Sequence, residues 1–343
     1  MHPESTRNAG RRLVQVFVGF ILAALVVGIP LAPFFVELPR SGGGHIAQTV
    51  DAANSAHRWQ GIRLGKSGTS SVSGLESGTL INTLGITWQY LRMHWLVPAG
   101  LILVAIVIGL IAAFYGFAGP NRLRHGASGQ HVTRFSPYQR IVHWFTAIIF
   151  LLLALTGLVL LYGRMLLIPL FGPKSFAFIA SACKEAHNLF GPIFLLALVL
   201  LLIEYGRDNL FKRTDLRWLR RAGGLLGSQV SSHRYNAGEK IWFWLLTLLG
   251  FGLCITGLML VMWSIGWTRP FLEFAHLVHA GSALVLIAAS LGHIYLGSVG
   301  TEGTLEGMTR GDVDLNWARQ HHDLWLTSSD VPADEGKPES GNG

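Results

Sequence analysis

Charged residues are scarce in this sequence. Among its 343 residues only 13% are charged, whereas 50% are apolar. A soluble domain usually carries about 25% charged residues, so the deficit argues against an ordinary soluble enzyme, a disordered chain or a coiled coil. Long apolar runs and many aromatic residues (11 Trp, 19 Phe and 7 Tyr) accompany the low charge. Together they predict a polytopic membrane protein.

Cysteine is also scarce. The two cysteines, Cys183 and Cys254, lie far apart and form no C-x-x-C motif, which argues against a thiolate metal site or an iron–sulfur cluster. The formal net charge is +8, but the Lys and Arg residues occupy short stretches between apolar runs. That distribution is typical of membrane topology signals rather than of a nucleic-acid-binding patch.

Six apolar segments approach the roughly 20 residues that a helix needs to cross a bilayer. None of them alternates apolar and polar residues as a barrel strand would, so we expect all six to be helices. The predicted spans are 13–36, 95–118, 141–163, 188–205, 241–264 and 276–298.

Basic residues indicate how these spans are oriented. Eighteen Lys and Arg residues lie on the side of the bilayer that holds both termini, against nine in the alternate loops. This bias predicts that both termini are cytoplasmic. Arg11 and Arg12 precede the first span and could begin a signal peptide, but no A-x-A cleavage site follows, so a retained helix is favoured.

Composition divides the chain into three parts. Residues 1–130 form an N-terminal extension with two predicted helices and a periplasmic loop rich in Gly and Ser. Residues 131–326 form a predicted four-helix bundle, and residues 327–343 form a polar cytoplasmic tail that we expect to be disordered. The expected fold class is therefore an all-α integral membrane protein with six helices.

The predicted bundle contains an internal repeat at an offset of 100 residues. Residues 134–144 (R-F-S-P-Y-Q-R-I-V-H-W) resemble residues 234–244 (R-Y-N-A-G-E-K-I-W-F-W). Further along, the sequence T-G-L at 156–158 matches T-G-L at 256–258. Two similar helical hairpins that run in the same direction would produce this pattern.

Histidines inside membrane helices indicate where chemistry occurs, because ionisable residues are costly there. The predicted orientation places His187 and His279 near the outer face, and His143 and His293 near the cytoplasmic face. An α-helix would put His279 and His293 within about 40° of one face and about 21 Å apart. His276 and His293 would differ by about 100° in direction, so His279 is the better candidate.

Two pairs of imidazoles on facing helices suit two bis-histidine b haems. The outer iron would be bound by His187 and His279, and the inner iron by His143 and His293. Zinc would instead require three or four ligands in one cluster. For any one of these histidines, the alternative is a side chain that is hydrogen-bonded across helices.

Several motifs within about residues 130–326 can be compared with known families. They are R-F-S-P-Y-Q-R-I-V-H-W, E-A-H-N-L-F-G, R-Y-N-A-G-E-K, L-V-H-A-G, G-H-I-Y and W-A-R-Q-H-H-D-L-W. On these motifs the sequence resembles the gamma subunit of respiratory formate dehydrogenase, the cytochrome b556 membrane subunit, within the di-haem bacterial cytochrome b561 superfamily.

The resemblance implies a set of site residues. The four-helix bundle would hold two b haems, with axial ligands at His143, His187, His279 and His293. A menaquinone or ubiquinone site would lie beside the inner haem, which implicates Asn236, Glu239 and His293. The commonest family loop has Gln at the position of Glu239, and an ionisable group there would suit proton uptake.

The resemblance also implies a function and partners. A separate molybdenum or tungsten subunit outside the membrane would oxidise formate, and an iron–sulfur subunit would pass electrons to this chain. The chain would carry them through the two haems to quinone in the bacterial inner membrane, building a proton-motive force. The cytochrome b of a hydrogenase or thiosulfate reductase is one alternative. A haem-free transporter or membrane anchor is an alternative from a different class.

Overall fold

The computed structural model of the protein describes residues 83–221, 223, 230–262 and 266–328. These residues are mostly helical and include five helices that are long and apolar enough to cross a membrane. The predicted span 13–36 lies outside the described residues, as do most of the Gly- and Ser-rich loop and of the tail. The five helices occupy Leu84–Ala118, Pro137–Leu166, Ile168–Tyr205, Ala237–Val261 and Arg269–Gly297.

The first described span consists of three consecutive helical pieces. Helix α1 (Thr83–Tyr90) continues through a π-helical turn (Leu91–Leu96) into α2 (Val97–Ala118). The helix therefore starts before the predicted residue 95, because less apolar residues prolong it beyond the apolar stretch. It ends at Gly119, whose φ of 68° is a conformation that glycine adopts without a Cβ clash.

This span packs against the rest of the bundle. The Tyr162 hydroxyl donates a 3.0 Å hydrogen bond to the carbonyl of Val97. A Cβ atom at Gly100 would collide with Tyr162 and Leu284, so glycine permits the helices to approach closely. The second predicted helix is thus joined to the four-helix bundle by contacts with two of its helices.

The first hairpin comprises α3 (Pro137–Leu166) and α4 (Ile168–Tyr205). Ser136 caps α3 in a capping box with Gln139, which satisfies backbone donors that would otherwise lack partners. Gly172, with a φ of 76°, interrupts the helical geometry near the start of α4. Helix α4 begins twenty residues before the predicted membrane span 188–205, because the preceding residues, which include Lys174 and Lys184, are also helical.

The second hairpin comprises α6 (Ala237–Val261) and α7 (Arg269–Gly297). The short helix α5 (Arg213–Arg220) precedes it. Asp215 of α5 and Lys240 of α6 form a buried ion pair with a 2.7 Å separation, which fixes α5 against the start of α6. Helix α7 begins seven residues before the predicted residue 276, again because a less apolar turn extends the helix.

The segment after α7 contains short elements. A strand β1 (His131–Thr133) pairs antiparallel with β2 (Asp312–Asp314), which adds one short sheet to a mostly helical structure. Next to these strands, the Arg134 N–H donates to the Gly311 carbonyl and the Leu315 N–H donates to the Gln130 carbonyl, which joins the segment before α3 to the segment after α7. The helices in this segment are α8 (Thr304–Thr309), α9 (Leu315–His321) and α10 (Asp323–Ser328).

The main core lies between the two hairpins. Ala197, Leu198 and Leu286 are completely shielded from solvent. Other large apolar side chains point away from the protein, with Ile203 and Leu248 exposed at 73% and 66%. Apolar side chains on the outside of spanning helices match a hydrocarbon environment, where backbone polar groups must be satisfied within the helix.

Candidate functional site

His187 of α4 and His279 of α7 face each other across the bundle. Their ring centres are 6.1 Å apart, and the ring planes are inclined by 72°. His187 directly precedes the predicted span 188–205, and His279 lies near the start of the predicted span 276–298. The structure places both inside longer helices, since α4 begins at Ile168 and α7 begins at Arg269. The expected outer pair is nevertheless brought together.

A threonine from the partner helix of each hairpin orients each ring of this pair. His187 Nδ1 lies 2.9 Å from Thr156 Oγ1, and His279 Nδ1 lies 3.0 Å from Thr256 Oγ1. Both hydroxyls donate to carbonyls of their own helices, so each hydroxyl oxygen accepts from the imidazole Nδ1–H. This tautomer leaves the Nε2 lone pair available to a metal.

Glycines make room for the same two rings. A Cβ atom at Gly157 would lie 3.3 Å from His187 Cε1, and one at Gly257 would lie 3.2 Å from His279 Cε1. These distances are tighter than ordinary van der Waals contact. The repeated T-G-L sequence therefore supplies a hydroxyl partner and a close approach for each imidazole.

His143 of α3 and His293 of α7 form the second pair. Their ring centres are 6.2 Å apart, and the planes are inclined by 55°. The indole of Trp242 stacks on His293 with a centre separation of 4.9 Å and an angle of 15°. His143 Nδ1 is buried and has no hydrogen-bond partner among the described residues. The expected inner pair is therefore also brought together, with a different local support.

Both separations fit a pair of axial imidazole ligands. Two metal–nitrogen bonds of about 2.0 Å, with about 1.2 Å from each nitrogen to its ring centre, place the centres about 6.4 Å apart. The described residues contain no group of three or more His, Cys, Asp or Glu side chains suited to hold one metal ion. The donor set thus fits two bis-histidine haem sites better than a zinc centre.

Helix α7 supplies one histidine to each pair. His279 and His293 lie within the continuous helix Arg269–Gly297, so a rise of about 1.5 Å per residue separates their Cα atoms by about 21 Å along the axis. The two candidate sites therefore occupy opposite ends of the bundle. We call the end with His187 and His279 the outer end, and the end with His143 and His293 the inner end.

An arginine cluster lies next to the inner end, formed by Arg134, Arg234, Gln139, Glu239 and His322. The two arginines donate to each other's backbone carbonyls, at 2.9 Å from Arg134 and 2.6 Å from Arg234. Arg134 also contacts Glu239 Oε1 at 3.0 Å, and Arg234 contacts Gln139 Oε1 at 2.9 Å. The contacts repeat at an offset of 100 residues, as the sequence repeat does, and they join the starts of both hairpins.

Asn236 and Glu239 form the capping box at the start of α6. The Asn236 side chain accepts from the Glu239 N–H at 3.0 Å, and Glu239 Oε2 accepts from the Asn236 N–H at 2.8 Å. The Glu239 side chain is 33% exposed, and its carboxylate interacts electrostatically with His293. Of the predicted quinone residues, Glu239 therefore acts electrostatically on His293, and Asn236 and Glu239 together cap α6.

His322 closes this cluster from the C-terminal segment. Its Nε2 accepts from Arg134 Nη2 at 3.1 Å, and its Nδ1–H donates to the His233 carbonyl at 2.7 Å. Burial, reinforced by the Arg134 guanidinium, lowers the pKa of His322 to about 3. Burial likewise lowers the pKa of His321 to about 4. The buried imidazole of His322 is neutral and serves as an acceptor for the arginine.

Several residues of the site could not be identified from the sequence. Thr156 and Thr256 occur within a recognised repeat, but a hydroxyl in an apolar helix usually bonds only to its own backbone. No motif distinguishes Trp242 from the other tryptophans. His322 lies outside the predicted spans, where a solvated histidine is expected, and yet it is only 1% exposed. The adjacent histidines of the W-A-R-Q-H-H-D-L-W motif were the sequence feature that could have indicated a role for His322.

Comparisons with known proteins point to one family. The profile of the prokaryotic cytochrome b561 family matches residues 134–311. The nitrate-inducible formate dehydrogenase cytochrome b556(Fdn) subunit of Escherichia coli (strain K12) is 28% identical over 221 residues, covering 62% of this chain and 97% of the relative. The formate dehydrogenase cytochrome b556 subunit of Haemophilus influenzae is 29% identical over 195 residues, covering 54% and 78%. Both histidine pairs lie within the region matched by the family.

Proposed function

Because the chain belongs to the prokaryotic cytochrome b561 family, we propose that it is the membrane cytochrome b subunit of a respiratory formate dehydrogenase. It would pass electrons from an iron–sulfur subunit to membrane quinone. The observation that carries the proposal is the pair of facing histidines at each end of the bundle, with ring centres 6.1 and 6.2 Å apart. The named relatives support the choice of formate as the electron source.

Four histidines would hold two haems in this proposal. His187 and His279 would ligate the outer iron, and His143 and His293 the inner iron. Haem b bound at these positions would supply a one-electron carrier at each end of the bundle. Thr156 and Thr256 would hold the outer imidazoles in the tautomer that presents Nε2 to the metal.

The quinone would bind at the inner end. Asn236, Glu239 and His293 are the proposed contacts, supported by the electrostatic interaction of Glu239 with His293 and by the capping box that joins Glu239 to Asn236. The Asn236 amide retains N–H donors beyond its capping bond, which suits a quinone carbonyl. Glu239, a partly exposed carboxylate that is ion-paired with Arg134, is the ionisable group that we propose assists proton uptake at the inner end.

The topology would couple this chemistry to a proton-motive force. We propose six membrane helices, with 13–36 the first, and both termini in the cytoplasm. The division into an extension (1–130), a di-haem bundle (131–326) and a tail (327–343) belongs to the same proposal. Formate oxidation outside would release protons there, whereas quinone reduction at the inner end would take protons from the cytoplasm.

The proposal is tested by isolating the chain from its native membrane under mild detergent. A reduced-minus-oxidised spectrum with b-type absorbance, together with a copurifying molybdenum or tungsten formate oxidase and an iron–sulfur protein, is expected. A copurifying hydrogenase or thiosulfate reductase would contradict the assignment to formate dehydrogenase and would identify the chain as the cytochrome b of that enzyme instead. A preparation without haem would favour a transporter or membrane anchor and would contradict the proposal.

A further inference from the structure

Three polar side chains meet between the first described span and α7, near the outer end. They are Trp88, Arg92 and His276, which we call the outer polar cluster. The Trp88 and His276 rings are 5.4 Å apart in an edge-on arrangement. The Arg92 guanidinium carbon lies 5.8 Å from the centre of the Trp88 ring. Two separate membrane helices therefore bring these groups to one place.

Each member of this cluster has a buried polar atom without a partner. Trp88 Nε1, Arg92 Nε and His276 Nδ1 are all inaccessible to solvent and make no hydrogen bond. Within the described ranges, no carboxylate lies at ion-pair distance from Arg92. A buried donor left unsatisfied is unfavourable, and more so where the group is charged. Three such atoms side by side indicate a place for a ligand that accepts hydrogen bonds.

The cluster adjoins the outer histidine pair. His276 precedes His279 by three residues in α7, so the two side chains are neighbours on the helix surface. The two imidazoles also interact electrostatically, as His276 does with Arg92. Arg92 lies in the π-helical turn Leu91–Leu96, and such turns occur frequently at functional sites. The cluster therefore lies about one helical turn from a ligand candidate of the outer site.

We propose that Arg92, Trp88 and His276 bind a propionate carboxylate of the haem held by His187 and His279. This inference rests on the outer haem of the proposed function. The guanidinium fork matches a carboxylate, and the indole N–H is a donor only. An anionic carboxylate in a low-dielectric setting requires a cationic partner of this kind. The N-terminal extension would thus complete a cofactor site whose axial ligands lie in the four-helix bundle.

The test is a spectroelectrochemical titration of the purified full chain carrying Arg92→Gln. A positive charge beside the propionate favours the reduced haem, because reduction adds a negative charge to the site. Removing that charge should lower the midpoint potential of one haem and leave the other unchanged. Arg92→Lys should retain most of the potential, and Trp88→Phe, which keeps the ring and removes the N–H, should lower it less than Arg92→Gln.

Two further variants assign the effect. Arg164→Gln removes an exposed arginine at the end of α3 and should change neither potential. In a His187→Ala background, which removes the outer haem, Arg92→Gln should have no effect on the remaining potential. Equal shifts from Arg164→Gln and Arg92→Gln, or unchanged potentials in Arg92→Gln, would overturn the inference. Loss of a bound phospholipid or quinone without a change in potential would also overturn it and assign the cluster to that ligand.

Failure of this inference differs from failure of the proposed function. A wild-type chain that binds no haem contradicts both. A wild-type chain with two resolved haem potentials, neither of which responds to Arg92→Gln, contradicts only the role of the outer polar cluster.

Discussion

At the scale of single residues, both histidines of the outer site are supported in the same way, by a threonine and a glycine of the neighbouring helix. Thr156 and Gly157 support His187, and the repeat places Thr256 and Gly257 against His279. In the part of the chain that the structure describes, no threonine bonds to His143 or His293, and Trp242 stacks on His293. The two proposed haems would therefore differ in hydrogen bonding to their ligands, which is one of the factors that set a haem potential.

Removal of a single proposed ligand should remove one haem of two. His187→Ala or His279→Ala should halve the haem content and leave the inner haem, whereas His143→Ala should leave the outer haem and block quinone reduction. Haem per chain, measured by pyridine haemochrome assay, checks this result. His131→Ala, at an exposed histidine in β1, is the control that should retain both haems. Full haem content in all three ligand variants would show that the pairing is wrong.

Stability should decrease in mild acid because of His322. Its folded-state pKa is about 3, below the value of about 6.5 expected in an unfolded chain. The unfolded chain therefore gains a proton below about pH 6.5 that the folded chain does not, so stability falls as the pH is lowered toward 3. Between pH 7.5 and 5.5 this group should account for about 1 kcal/mol of lost stability.

Thermal unfolding in detergent at the two pH values measures this effect. The decrease in melting temperature on acidification should be smaller in His322→Gln than in the wild type, although His322→Gln will itself be less stable at both pH values. His131→Gln should match the wild type in its pH dependence. An undiminished decrease in His322→Gln would mean that other groups cause the acid sensitivity.

The four ligand candidates could be selected from the sequence by two criteria. The alternation of spans predicts which histidines lie near the same face of the membrane, and the helical period predicts which residues lie on the same face of a helix. The position of His322 could not be predicted in this way. Its burial depends on the return of the C-terminal segment to the starts of both hairpins, a long-range contact that local periodicity does not encode.

At the scale of the elements, the apolar stretches located the described helices but not their ends. Helix α4 begins at Ile168 rather than near 188, and its first half includes Lys174 and Lys184. Hydropathy reports the part of a helix that lies in lipid, whereas helix propensity and packing decide where the helix begins. For the same reason the short pairing of β1 with β2 had no detectable signal, since each strand has only three residues.

Close helix approach at the T-G-L sequence should be required for haem binding. Gly157→Val would place branched methyl groups against the His187 ring, where even a Cβ atom is only 3.3 Å away. We expect most of the outer haem to be lost while the inner haem is kept, as measured by haem content and redox titration. Gly109→Ala, where a Cβ atom would meet nothing within 4 Å, is the matched control. Retention of both haems in Gly157→Val would contradict the proposed seat of His187.

At the scale of the whole molecule, the repeat makes the two hairpins approximately symmetric. The first described span and the segment after α7 have no counterpart in this symmetry. Reciprocal hydrogen bonds between Arg134 and Arg234 join the two hairpins, and α7 contributes a ligand candidate to each site. Among the described residues, the first described span contacts α7 and α3. The symmetric part corresponds to the region matched by the family, and the added span approaches one of the two sites.

The proposed orientation can be checked with topology reporters. Alkaline phosphatase fused after the C-terminal residue should be inactive, because we place that end in the cytoplasm, whereas a fusion in the loop after α6 should be active. A fluorescent protein that folds only in the cytoplasm should give the reverse pattern. Active phosphatase at the C-terminus would mean that the orientation is the opposite of the one proposed. Proton uptake for quinone reduction would then occur on the outside.

The central claim is that this one chain holds two haems, each between imidazoles of two different helices. The most direct measurement is the amount of haem b per chain in the purified protein, determined together with the electron paramagnetic resonance spectrum of its oxidised form. The account predicts two haems per chain, both with low-spin, bis-histidine signals. A single haem, or a signal from a haem with only one histidine ligand, would contradict it.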